Sequence, residues 1–251
     1  MRVLLTRPEP GATQTAVRLE ALGHEAVKMP LYEAAVTARI EDLPQAVAIR
    51  GLIATSARAF TLFGDAGALP EGYSRLPVHV VGPATAAAAR AGGFSEIFEG
   101  AGTAADLAET LAGTVLAGPE TPDRAGLAKP WLYLAGAPRT TVIEDAMAVA
   151  KAPVRVIQAY QMTEISYPTD IDILALLSPS PDTVVLYSPN AARRFSSLIT
   201  SKDLGKFVES TRFMCLSPAI SMTLPQAWQA RALAADHPDE DSLLASLARL
   251  G

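Results

Sequence analysis

Along this chain, short apolar runs end again and again in a turn carrying hydroxyl, glycine or arginine residues with proline close by, and stretches with helical spacing follow. Val3 to Leu5 ends in Thr6-Arg7-Pro8, and Thr13 to Leu22 then places Ala16, Leu19 and Leu22 on one face before Gly23. A short apolar run bounded by turn residues reads as a buried strand, and apolar residues three or four apart read as a helix. Further strands are expected at His24 to Tyr32, at Gly51 to Ala54 ending in Thr55-Ser56-Ala57-Arg58, and at Val78 to Val81 ending in Gly82-Pro83-Ala84-Thr85. An Ala-rich helix to Ala91, a strand at Glu96 to Phe98 and a helix at Ala104 to Leu111 follow. Strands alternating with helices imply an α/β fold with parallel sheets, because a parallel pair needs a long crossover that a helix supplies.

Residues 112–130, rich in Gly and Pro, read as a loop or linker, and then the order of elements restarts. Trp131 to Leu134 is a strand ending in Ala135-Gly136-Ala137-Pro138-Arg139, with a helix through Ala150. Strands are expected at Val154 to Tyr160, at Thr183 to Tyr187 ending in Ser188-Pro189-Asn190, at Phe213 to Leu216 ending in Ser217-Pro218, and at Ala230 to Ala234, with a last helix at Ser242 to Leu250. Leu134 lies 129 residues after Leu5, Ser188 lies 132 after Ser56, and Ser217 lies 135 after Gly82. Such a slowly rising offset points to an internal duplication with small loop insertions, not to a solenoid array.

Composition narrows the function classes. At 251 residues and 49% hydrophobic, the chain can bury a sizeable core, and roughly 150 residues per domain makes two small domains the expectation. No charged, apolar and cleavable leader opens the sequence, and no apolar stretch approaches the about 20 residues of a membrane span, so a soluble cytoplasmic chain without membrane contact is expected. Cys215 is the only cysteine, which excludes an intrachain disulfide and a cysteine-cluster metal site. The net charge of -5 argues against a nucleic-acid partner, whose binding face is usually basic.

In open parallel sheets the ligand crevice lies beyond the carboxyl ends of the strands, so the turns after each strand are the candidate site, with matching loops of the two halves as the working surface. Ser, Thr or Gly followed by Pro begins a helix with free backbone N–H groups, which suits carboxylates or phosphates. The same caps are what any α/β protein uses to start helices, so each loop alone is also explained structurally. Arg7, Arg58, Arg139, Arg193 and Arg194 add cations beside helix N-termini, where the helix dipole does not call for them, although Arg193 and Arg194 read equally well as a solvated helix face. No GxGxxG, GxxxxGK[ST] or GxSxG motif is present, and His24, His79 and His237 make no metal-ligand spacing, so neither metal nor organic cofactor is expected. Cys215 reads as a small buried hydrophobe.

Leu4-Leu5-Thr6-Arg7-Pro8, the Gly23-His24 turn into Pro30-Leu31-Tyr32, Thr55-Ser56, Val81-Gly82-Pro83-Ala84-Thr85, Gln158-Ala159-Tyr160, Tyr187-Ser188-Pro189-Asn190-Ala191 and Leu216-Ser217-Pro218 occur in one order over essentially the whole chain. In that order the chain resembles the uroporphyrinogen-III synthase family. The resemblance implies a cofactor-independent lyase of haem biosynthesis acting on hydroxymethylbilane, a polycarboxylate linear tetrapyrrole. Water leaves the hydroxymethyl group, an azafulvene forms, and the macrocycle closes through a spiro intermediate that inverts ring D.

The family's tyrosine at the end of a crossover strand matches Tyr160, which the resemblance casts as the donor to the departing hydroxyl; the alternative is an aromatic packed in the joint between domains. The resemblance implies that Thr55, Ser56, Thr85 and Ser188 orient the substrate by hydrogen bonds, and the strand-end loops add Arg7, Gly82, Gly136, Arg139, Asn190 and Ser217 as expected substrate contacts. Where eukaryotic members often carry Thr in the last strand-end loop, alignment with Thr85 places Ile220 here, and Ser217 and Ser221 stand as substitutes.

The resemblance further implies two similar domains with parallel sheets flanked by helices, 1–35 with 165–251 and 36–164, joined by crossover strands near Leu31 to Val36 and Ala159 to Ile165. A monomer is expected, since no sustained heptad or large apolar stripe is present. Transient contact with the preceding pathway enzyme is compatible with this role. The competing reading is a non-catalytic two-lobed binding protein for a small polyanion, which the lack of a leader disfavours; a two-lobed transferase would be expected to show a nucleotide loop.

Overall fold

The computed structural model describes residues 1–64, 69–117, 128–167 and 170–249. In chain order its first elements are β1 (Arg2–Leu5), α1 (Gly11–Ala21), β2 (Glu25–Lys28), β3 (Tyr32–Val36), β4 (Leu52–Ala54), α2 (Thr61–Gly64), β5 (Val78–Val80), α3 (Pro83–Ala91), β6 (Ile97–Glu99) and α4 (Ala104–Ala117). There follow β7 (Trp131–Ala137), α5 (Val142–Val149), β8 (Val154–Glu164), α6 (Asp170–Leu177), β9 (Thr183–Leu186), α7 (Pro189–Ser201), β10 (Arg212–Cys215), α8 (Pro218–Ser221), α9 (Gln226–Gln229), β11 (Ala232–Ala234) and α10 (Glu240–Ala248). The alternation expected from the sequence is the observed one. Two compact units result, Met1–Glu33 with Thr163–Gly251 as the first and Ala34–Met162 as the second, and the chain passes between them within β3 and again within β8.

The first unit holds a parallel sheet in the order β11-β10-β9-β1-β2. Beyond their first residues, Arg2, Thr183 and Arg212, its central strands are apolar because both faces are covered, as a parallel sheet requires. Successive side chains point to opposite faces. Leu4, Val184, Leu186, Phe213 and Cys215 therefore share one face with Phe195, Leu198 and Ile199 of α7, and Val3, Leu5, Val185 and Met214 share the other with Leu19 of α1 and Leu243, Leu244 and Leu247 of α10.

The second unit holds the order β3-β8-β7-β4-β5-β6. From β8 to β6 the pairs are parallel. At the β3 edge the Ile165 N–H donates to the Leu31 carbonyl and the Thr37 N–H to the Ala159 carbonyl, so β3 runs antiparallel to β8. Leu52, Ala54, Val78, Val80, Leu132 and Leu134 face Phe60, Phe63, Tyr73 and Phe94, and on the other face Ile53, Trp131, Tyr133 and Ala135 meet Leu107 and Leu111 of α4 and Ile143 and Met147 of α5. Read from β2 in one sheet and β8 in the other, five strands follow the same order, β2-β1-β9-β10-β11 against β8-β7-β4-β5-β6.

Several boundaries differ from the sequence reading. The expected strand His24 to Tyr32 is two strands, because Pro30 has no N–H to extend the ladder beside β1 and the chain turns away after the Leu31 N–H bonds the Thr6 carbonyl. Residues 112–117 of the expected linker are helical: α4 continues through Gly113, a residue that weakens helices without forbidding them. Residues 118–127 of that segment, and Leu250 at the end of the expected last helix, lie outside the described residues. Strand β7 extends to Ala137 and β8 to Glu164, so Gly136 sits within a strand and not after it, and Tyr160 sits inside a strand and not at its end.

Candidate active site

In the second unit the carboxyl ends of β4 and β7, with the first turns of α4 and α5, enclose a pocket of about 260 Å³. Thr55, Gly136, Arg139 and Tyr160 line it, together with Ala104, Tyr133, Pro138, Thr140, Val142 and Ile143. A β-bulge brings Tyr160 there. Ala135 pairs with Gln158, but the next pair is Gly136 with Tyr160, so Ala159 is the extra residue. Without the slip, alternation would put Tyr160 on the face of Val154 and Val156; with it, Tyr160 joins the face of Gly136 and Leu134. Its ring lies directly over Gly136, where an added Cβ would overlap the phenol carbon and oxygen and come within 2.8 Å of Cε1. Only glycine fits beneath that ring.

Three of the polar side chains around the pocket, Thr55, Tyr133 and Arg139, are held by neighbours. The Thr55 Oγ1 and Tyr133 hydroxyls lie 3.1 Å apart. Burial raises the Tyr133 pKa above the ordinary phenol value, although the Thr55 hydrogen bond acts the other way, so the hydroxyl remains protonated at neutral pH. The Arg139 Nε–H donates to Glu144 Oε1 at 2.9 Å, in the first turn of α5. The other residues expected in this unit do not line the pocket. Ser56 Oγ accepts the Arg58 N–H at 3.3 Å and caps the short 3-10 helix Ala57–Phe60. Gly82 is the extended N-cap of α3 with Pro83 at the first helical position, and Thr85 is buried at 4% exposure in the first turn.

In the first unit the strand-end residues are largely engaged within the protein. The Arg7 guanidinium lies over Gly11, pairs with Glu240 Oε1 at 3.1 Å, donates to Thr15 Oγ1 at 3.0 Å and covers the Tyr187 ring at 4.3 Å. A cation expected for an anionic ligand is thus already neutralised by the first turn of α10. Ser188 Oγ caps α7 by accepting the Ala191 N–H at 3.1 Å, and Asn190 Oδ1 accepts from Arg193 at 3.1 Å. Ile220 is buried at 3% exposure in the core, and Ser221 Oγ donates to the Pro218 carbonyl at 2.8 Å. Ser217 is the N-cap of α8 but makes no side-chain capping bond to it. Among the described residues no cluster of His, Cys, Asp and Glu could hold a metal ion, and no helix is long and apolar enough to cross a membrane.

A family profile described as uroporphyrinogen-III synthase HemD matches residues 13–245. The chain belongs to the uroporphyrinogen-III synthase family. Two solved structures share the fold of this family member. Uroporphyrinogen-III synthetase from Helicobacter pylori superposes with a TM-score of 0.65 at 14% identity over 100% of both chains. A mutant uroporphyrinogen III synthase from the extremely thermophilic bacterium Thermus thermophilus gives 0.55 at 15% identity over 99% of this chain and 98% of that one. No curated protein sequence matches the chain.

For a uroporphyrinogen-III synthase family member, the sequence pointed to four of the residues lining the pocket and missed Tyr133, which reads as one more apolar strand residue in Trp131 to Leu134. A tyrosine near a strand end, with an apolar ring and a polar tip, was the available signal.

Proposed function

We propose that this member of the uroporphyrinogen-III synthase family converts hydroxymethylbilane to uroporphyrinogen III as a cofactor-independent lyase, and that the pocket around Tyr160 handles the departing hydroxyl. The observation that carries the reading is the placement of the Tyr160 phenol over Gly136, in a pocket that also holds Thr55 and Arg139. A phenol O–H donates a hydrogen bond to the departing hydroxyl as the carbon–oxygen bond breaks. Hydroxyl and one pyrrole N–H proton leave together as water, and the azafulvene so formed closes by carbon–carbon bond formation through a spiro intermediate. No redox change occurs, so the balance needs no electron carrier.

Free hydroxymethylbilane closes unaided to the uninverted isomer, and the protein's contribution is to orient the chain ends so that ring D inverts. Ser56, Gly82, Thr85, Ser188, Asn190 and Ser217 are proposed as further substrate contacts, Ser217 foremost because it caps no helix N–H. Arg7 is a weaker candidate, given its pairing with Glu240. The same reading takes the protein as a cytoplasmic monomer supplied by the preceding pathway enzyme, and the matching strand order of the two sheets supports an origin by duplication.

Incubation with enzymatically made hydroxymethylbilane, oxidation and separation of the uroporphyrin isomers tests the function, and isomer I alone would sink it. Tyr160→Phe, which removes one hydrogen bond to the departing hydroxyl, is expected to slow formation of isomer III by about 10- to 100-fold without abolishing it; wild-type turnover would remove Tyr160 from the mechanism.

A further inference from the structure

Tyr133 and Thr55 reach each other across neighbouring strands. Ala54 and Leu134 are paired in the ladder between β4 and β7, and Thr55 follows the first while Tyr133 precedes the second. The Tyr133 ring is 2% exposed and packed among Ile53, Leu107, Ile143 and Met147, so its hydroxyl is fixed in place by the core. Two hydroxyls own two hydrogens, and the bond between them at 3.1 Å consumes one whichever donates. Neither hydroxyl has a second protein partner among the described residues. One O–H donor therefore remains, in a pocket that both residues line.

We propose that Tyr133 is a positioning residue for the reaction of this pocket, fixing the Thr55 hydroxyl so that the pair offers its remaining O–H to an acceptor oxygen of the substrate, a carboxylate by preference. The inference rests on the synthase reading of the pocket. The pair is partly buried and already held by the core, so little ordering is lost when an acceptor meets the remaining donor, which favours a ligand acceptor at that point. Burial also holds the phenol against ionisation, so the donor persists across the neutral range. Arg139, tied to Glu144 on the same rim, keeps the surroundings close to neutral overall and leaves recognition to directed hydrogen bonds.

The test is steady-state kinetics with hydroxymethylbilane on the wild type, Tyr133→Phe, Thr55→Val, the double variant and Thr55→Ser, with isomer analysis and Tm for each. Tyr133→Phe and Thr55→Val are each expected to lower kcat/KM by about 5- to 10-fold. The double variant should lose no more than the larger single loss, because both substitutions remove the same donor pair. Thr55→Ser, which keeps the hydroxyl, should recover most of the Thr55→Val loss, and should do so even if Tyr133→Phe fails to fold. Multiplying losses in the double variant, wild-type kcat/KM in Tyr133→Phe, or a Thr55→Ser as impaired as Thr55→Val would overturn the proposal while isomer III formation by the wild type stands. Isomer I alone from the wild type would remove the synthase reading and this inference with it.

Discussion

Lowering the pH from 7 to 4.5 should destabilise the second unit through one side chain. His79, at the middle of β5, is 2% exposed, stacks on Phe98 at 4.8 Å and meets the Trp131 ring edge-on at 5.1 Å, and its buried Nδ1 has no hydrogen-bond partner. Burial, with a smaller contribution from the positive charge of Arg50, pushes its pKa from 6.5 down to about 4. The unfolded chain takes up a proton near pH 6.5, whereas the native state stays neutral until about 4. Stability is therefore full above pH 6.5, falls as the pH drops through the window, and levels off below about 4, where both states are charged. The distance from 6.5 to about 4, at about 1.4 kcal/mol per pH unit, amounts to a loss of about 3 kcal/mol. Urea unfolding followed by Trp131 fluorescence in a Trp228→Phe background reads this unit, and His79→Leu of similar volume should remove most of the loss between pH 7 and 4.5. Glu9 and Asp236, whose pKa values lie below their ordinary carboxylate values through Lys28 and Arg249 respectively, act at lower pH and are common to both proteins. Identical pH slopes for wild type and His79→Leu, or an NMR titration of His79 near 6.5, would refute the reasoning.

Other outcomes are equally checkable. Gly136→Ala forces the Tyr160 ring from its place and should cost about 100-fold in kcat/KM for isomer III, with wild-type kinetics showing that the ring's position is irrelevant. Glu240→Gln leaves the Arg7 guanidinium without its carboxylate and should lower stability by about 1 kcal/mol in urea unfolding, a modest figure because both side chains keep some solvent access. Burial pushes the Cys215 thiol up to about 12, so a thiol reagent at pH 8 should label it only once the chain is unfolded, and rapid labelling of the native protein would contradict its burial.

The parts of this fold that depend on local chemistry were legible in the residues. Ser188-Pro189 and Ser56 announce their caps, and apolar runs such as Thr183 to Leu186 read as strands because covering both faces of a parallel sheet leaves little room for polar residues. Features created by meeting partners were not legible. Arg7 reads as a free cation until Glu240 arrives from the far end of the sequence, and Tyr133 reads as strand filler until β4 brings Thr55 beside it. The bulge that turns Tyr160 toward Gly136 depends on register, and Gly136 itself reads as part of the turn after Leu134. Resemblance to the family supplied Tyr160 because a residue type in a fixed order survives where pairwise geometry cannot be read.

The partner of β1 has a temporal consequence. Val3 lies beside Thr183 in the sheet, 180 residues later in the chain. At about 5 to 20 residues per second of synthesis, β1 and β2 wait roughly 10 to 35 s with an open strand edge before β9 emerges. All of the second unit, Ala34–Met162, is made during that wait. The nascent chain therefore carries a finished globule between two halves of an unfinished one, and this interval is when a chaperone holding the first 33 residues would matter most for the yield of folded protein.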